Sequence, residues 1–139
     1  MSFEERGVWA VLLSSALGYI VYLAIVVPRL FHTPAAHVSY IAPLVLTTVA
    51  WAIIALVIRS ASEVVKPSDT GDSDVRDRDI ARFAEYPSRW CLVAGSAAGC
   101  CMAFNHWNDF WIANVTYLGL VLWLMVGSAL RLVAYRRGL

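Results

Sequence analysis

A chain of 139 residues has room for one domain, and 60% hydrophobic residues with a mean hydropathy of +0.64 is more apolar surface than a water-soluble domain of that size can bury. Much of the surface must therefore face lipid. Lys and Arg number 11 and Asp and Glu 10, and the resulting net charge of +1 offers no electrostatic footprint for a nucleic-acid partner.

The chain opens Met1-Ser2-Phe3-Glu4-Glu5-Arg6 and is then apolar from Val8 to Val27. About 20 residues is the length that crosses ~30 Å of hydrocarbon, so a first transmembrane helix is expected over 8–27. The acidic start and the long run are unlike a cleaved signal peptide, which has a basic leader and a shorter apolar core. Pro28 and Pro34 predict a short external loop over 28–40, and a second helix follows over 41–58 with Pro43 in its first turn, where a missing N–H costs little.

The oily sequence is then interrupted by a charged segment from Arg59 to Arg89. Its first part, with Lys66, Pro67 and the run Ser68-Asp69-Thr70-Gly71-Asp72-Ser73, has the composition of a flexible connection. From Asp74 a short amphipathic helix is expected: Asp74 and Arg78 have the favourable acid-before-base spacing of four, and Ile80, Phe83 and Ala84 form an apolar stripe. Such a stripe can lie on the membrane surface or on the ends of the spans, and Pro87 is expected to end it.

A third helix over 90–104 would be only ~22 Å long, so it must thin the bilayer or borrow flanking residues. Asn105-His106-Trp107-Asn108-Asp109 reads as a tight turn, and a fourth helix over 110–130 ends in Arg131, Arg136 and Arg137. The expected fold is an all-α membrane protein: one domain over 1–139, with four transmembrane helices in two antiparallel hairpins joined by a charged cytoplasmic loop over 59–89. Every basic residue except Arg29 falls at the N-terminus, in the central segment or at the C-terminus, which predicts both termini in the cytoplasm.

Several groups of residues are candidates for chemistry or contact. Gly95 and Gly99 form a Gly-x-x-x-Gly pair, and Ser14 and Gly18 repeat its spacing in the first helix. Small residues let two helix backbones approach closely in lipid, either within the chain or between two copies. His32, His37, His106 and Asp109 all fall on the external side in this topology, and imidazoles with a carboxylate could ligate zinc or copper; the plainer reading is polar loop residues. No other cofactor is expected. Cys91, Cys100 and Cys101 lack Cys-x-x-Cys spacing and read as packing residues.

None of the four expected spans carries an ionisable residue at depth, which weighs against proton- or ion-coupled transport. Tyr19, Tyr22, Thr47, Thr48, Asn114, Thr116 and Tyr117 could line a polar path, although hydrogen bonding between helices is the commoner use of such residues.

The central run Asp74-Val75-Arg76-Asp77-Arg78-Asp79-Ile80 resembles the cytoplasmic loop of a group of small bacterial four-helix membrane proteins of unknown function, whose sequence is close to Asp-Glu-Arg-Asp-Arg-Glu-Ile. It departs from that pattern at Val75 and Asp79. The resemblance implies the two-plus-two helix arrangement and a bacterial inner membrane, and it implies no catalytic residue.

Arg76, Asp77, Arg78, Asp79 and Arg82 set both signs of charge on adjacent helix faces, a surface suited to a charged membrane-protein partner. The expected function is thus a non-catalytic accessory or regulatory subunit that docks through this segment in the lipid bilayer. The alternatives are a homo-oligomeric transporter or channel and, behind it, a membrane enzyme or metal-binding protein using the periplasmic histidines.

Overall fold

In hydrocarbon a backbone N–H has no water to turn to, so an apolar run must close its hydrogen bonds within itself as a helix. A computed structural model describes residues 3–64 and 71–137. It contains four helices, α1 (Phe3–His32), α2 (Ile41–Val64), α3 (Gly71–Phe104) and α4 (Asp109–Arg137), and one 3₁₀ turn, Ala35–His37; no strand occurs among the described residues. Three segments, Gly7–His32, Ile41–Ile58 and Asp109–Arg137, are long and apolar enough to cross a membrane. The protein is all-α with the character of a membrane protein.

The helices outrun their expected limits at both internal prolines. α1 passes through Pro28 and ends at His32, not Val27, and α3 passes through Pro87. Each proline removes only the bond to the carbonyl four residues earlier, which a helix held by its neighbours tolerates. The expected surface helix and the expected third span are therefore parts of one helix of 34 residues, about 51 Å long. α2 likewise continues past Ile58 to Val64, so most of the segment 59–89 is helix; residues 65–70 lie outside the described residues.

The contacts place α4 at the centre. It packs on α1 and on α3, and α1 packs in turn on α2. The pairs α1–α2 and α3–α4 are the two antiparallel hairpins, and the α1–α4 contact joins them. Two ends can be distinguished: a loop end, where His32, Ile41, Phe104 and Asp109 lie, and a terminal end at Phe3 and Arg137. The buried cluster Tyr22, Val26, Val38, Phe110, Tyr117 and Val121 lies toward the loop end, between α1 and α4. Leu13, Leu17 and Ile20 on α1 and Leu46, Ile53 and Leu56 on α2 are exposed, as lipid-facing side chains are.

Four residues connect α3 to α4. At the end of α3, Trp107 N–H donates to Met102 O at 3.0 Å and His106 N–H to Ala103 O at 3.1 Å. This is a Schellman cap whose left-handed residue is His106, at φ 54°. Asn108 then caps α4, its Oδ1 accepting from Phe110 N–H at 2.9 Å. At the other connection Arg29 donates from Nη1 to Ser39 O at 2.5 Å and ties the residues that follow the 3₁₀ turn to α1.

Candidate functional site

The seam between α3 and α4 is built on absent side chains. A Cβ added to Gly95 would lie 2.6 Å from Gly119 Cα, and one added to Gly119 would lie 2.7 Å from Gly95 Cα. A Cβ on Gly99 would lie 2.5 Å from Thr116 Oγ1, and one on Gly127 would lie 3.2 Å from Ser88 Oγ. Gly95 and Gly99 thus face α4 of the same chain. The second small-residue pair splits: Gly18 receives the edge of Trp51 from α2, with Cδ1 3.3 Å from an added Cβ, whereas the Ser14 hydroxyl donates to Val11 O at 3.2 Å within α1.

The same seam fixes the charged part of α3. Ile80, Ala84 and Ser88 are buried at i, i+4 and i+8, continuing the line that leads to Gly95. Arg78, Asp79 and Arg82 are exposed, and beside them Phe83, Tyr86 and Trp90, at i, i+3 and i+7, are 55%, 71% and 62% exposed. Arg76 and Asp77 belong to α3, but their side chains lie outside the described residues. Arg89 pairs with Glu85 at 2.9 Å, a surface pair contributing about 0.3–0.5 kcal/mol.

The proposed metal ligands are not gathered. No group of three His, Cys, Asp or Glu residues able to hold a metal ion occurs among the described residues. α1 and α3 each pack on α4 rather than forming a substantial contact with each other. His32 at the end of α1 and His37 in the 3₁₀ turn therefore have no reason to converge with His106, which is committed to capping α3. Cys91 is half-buried and Cys100 and Cys101 are exposed, all as free thiols.

The polar residues of the spans collect where α1, α2 and α4 meet. Tyr22 donates to Asn114 Oδ1 at 2.6 Å, and Asn114 Nδ2 donates to Phe110 O at 2.7 Å. The Tyr117 hydroxyl lies 3.4 Å from Thr47 Oγ1, and its ring meets those of Tyr22 and Tyr19 at centroid distances of 5.2 and 5.8 Å. Thr48 and Thr116 donate to Leu44 O and Ile112 O, one turn back in their own helices. These groups satisfy one another or their own backbone, an arrangement that fastens helices together.

Beside this cluster, α4 forms the floor of an open groove of about 700 Å³. Tyr40, Leu44 and Thr48 form one wall and Leu92 of α3 the other, with Asp109, Ile112, Ala113, Thr116, Tyr117 and Leu120 along the floor. Among the described residues, Asp109 is the one charged residue that lines it.

No family model, curated protein or solved structure matches the chain. Sequence reasoning missed Gly119 and Gly127, although two glycines spaced over two turns of an apolar helix are a signal for close approach. It also missed the groove, which exists only once three helices are placed together.

Proposed function

We propose that the protein is a four-span, non-catalytic accessory or regulatory subunit that docks a partner membrane protein through the terminal-end half of α3. The observation that carries this reading is the continuity of α3 through Pro87, with Ile80, Ala84 and Ser88 seated on α4. A charged face on a loose loop would have to be ordered on binding. A face already locked to a neighbouring helix avoids most of that cost. Arg78, Asp79 and Arg82 supply charge of both signs for register, and exposed Phe83 and Tyr86 supply the aromatic area that anchors interfaces.

The register of the seam supports α3 as the fourth span. With Gly95 against Gly119 and Ser88 against Gly127, residues 84–104 lie beside most of α4, and their ~31 Å suits the bilayer without thinning. The basic residues clustered at the terminal end support a cytoplasmic location for both termini, in a bacterial inner membrane as the resemblance at residues 74–80 implies. The homo-oligomeric transporter or channel is the weaker reading, because Gly95 and Gly99 already face Gly119 and Thr116.

The test is a photo-crosslinking amino acid placed at Tyr86 in the native membrane, with Leu46 on the lipid-facing side of α2 as the control. One crosslinked protein at Tyr86, absent at Leu46 and lost in the double variant Arg78→Glu, Arg82→Glu, is the expected result. Lipid adducts alone at both positions would refute docking.

A further inference from the structure

The groove on α4 has the dimensions and polarity of a lipid site. Its volume of about 700 Å³ is that of a ligand pocket, yet it is an open groove on helices, α2 and α4, that are long and apolar enough to cross a membrane. From Asp109 to Leu120 the floor runs twelve residues of α4, about 16 Å between the first and the last, which is half the thickness of the hydrocarbon and so the depth of one leaflet. The Asp109 end lies at headgroup level, since exposed Trp107 and Trp111 flank Asp109 and tryptophan prefers that boundary.

Charge selects among lipids. The Thr48 and Thr116 hydroxyls are engaged by backbone carbonyls and Tyr117 lies beside Thr47, so three of the four hydroxyl groups lining the groove, all but that of Tyr40, are already accommodated. The Asp109 carboxylate has no ion-pair or hydrogen-bond partner among the described residues. A largely apolar groove one leaflet deep with a single anion at one end, among the described residues, is complementary to an acyl chain under a cationic head. An anionic headgroup would meet repulsion there.

We infer that this groove binds one acyl chain of a phospholipid from the leaflet on the Asp109 side, with the lipid's amine headgroup on the Asp109 carboxylate. The inference rests on α2 and α4 crossing a membrane and is independent of docking through α3.

The experiment is native mass spectrometry of the full chain with equal amounts of phosphatidylethanolamine and phosphatidylglycerol carrying identical tails. One phosphatidylethanolamine retained per chain is expected, at about fivefold over phosphatidylglycerol, the ratio an interfacial charge pair supports. Asp109→Asn should bring the ratio to about one without abolishing binding, because the tail site is intact. Ala113→Trp on the floor and Leu92→Trp on the opposite wall should each release both lipids, with helix content by circular dichroism unchanged in at least one of them. Equal retention of the two lipids by the wild type would overturn the inference, as would full retention in a folded tryptophan variant. Preferred binding of a single-chain alkylammonium, or a lipid-free dimer that Ala113→Trp dissociates, would do the same by assigning the groove to another occupant.

Discussion

Where α4 meets α1, the contact is made of rings and a side-chain hydrogen bond; where it meets α3, it is made of glycines. On the α1 side Tyr22, Tyr19 and Tyr117 keep the backbones apart and Asn114 receives the Tyr22 hydroxyl. On the α3 side Gly95 and Gly119 bring the backbones together with no room for a methyl group. Lipid tails are as apolar as leucine, so neither contact gains from leaving water. One side gains from specific polar pairing and the other from dispersion over closely fitted backbones. The first can lose a group and keep its shape, whereas the second cannot accept one.

The largest effect should follow from adding a side chain to the glycine seam. Gly95→Ala places its methyl group against backbone, which cannot swing aside, and should cost about 3 kcal/mol, the upper part of the range for overpacked cores. Gly99→Ala meets the Thr116 hydroxyl instead; that side chain can change rotamer, and the cost should fall to about 1 kcal/mol. Unfolding in mixed micelles would rank the two, and equal costs would contradict a seam set by backbone contact at Gly95.

A smaller change of opposite sign is expected at the α3–α4 connection. His106 holds a left-handed conformation that costs a residue with a Cβ roughly 1 kcal/mol and costs glycine little. His106→Gly should therefore raise the unfolding midpoint while leaving helix content unchanged. A lower midpoint would mean that the imidazole makes a contact outweighing the backbone strain.

The smallest effect belongs to the aromatic side. Tyr22→Phe removes the 2.6 Å bond to Asn114 and keeps the ring, and buried bonds between membrane helices average only about 0.6 kcal/mol. The same micelle assay should show a loss of that order. A loss as large as that for Gly95→Ala would put the two sides of α4 on an equal footing and remove the contrast between them.

Much of the architecture is local and was legible. The apolar runs beginning at Val8, Ile41 and Phe110 announce helices because their length matches a bilayer, and the short turn over 105–108 requires α3 and α4 to run antiparallel. Pro28 and Pro87 misled for a physical reason: a proline forfeits one hydrogen bond wherever it stands, but whether the helix survives depends on neighbours that the local sequence does not name. His106 misled similarly, since an imidazole suggests ligation while the chain uses its backbone to end a helix.

The amino-acid sequence by itself determined that the chain is helical, that much of it faces lipid, and that one segment carries most of its charged residues. Only the tertiary structure decided that residues 71–89 of this segment form the start of α3, that Gly95 meets Gly119 of the same chain, and that α2, α3 and α4 border a groove beside Asp109. Helix length and polarity are properties of a single stretch of residues. A close approach or a cavity is a relation between stretches far apart in the chain, and it takes form only when the helices pack.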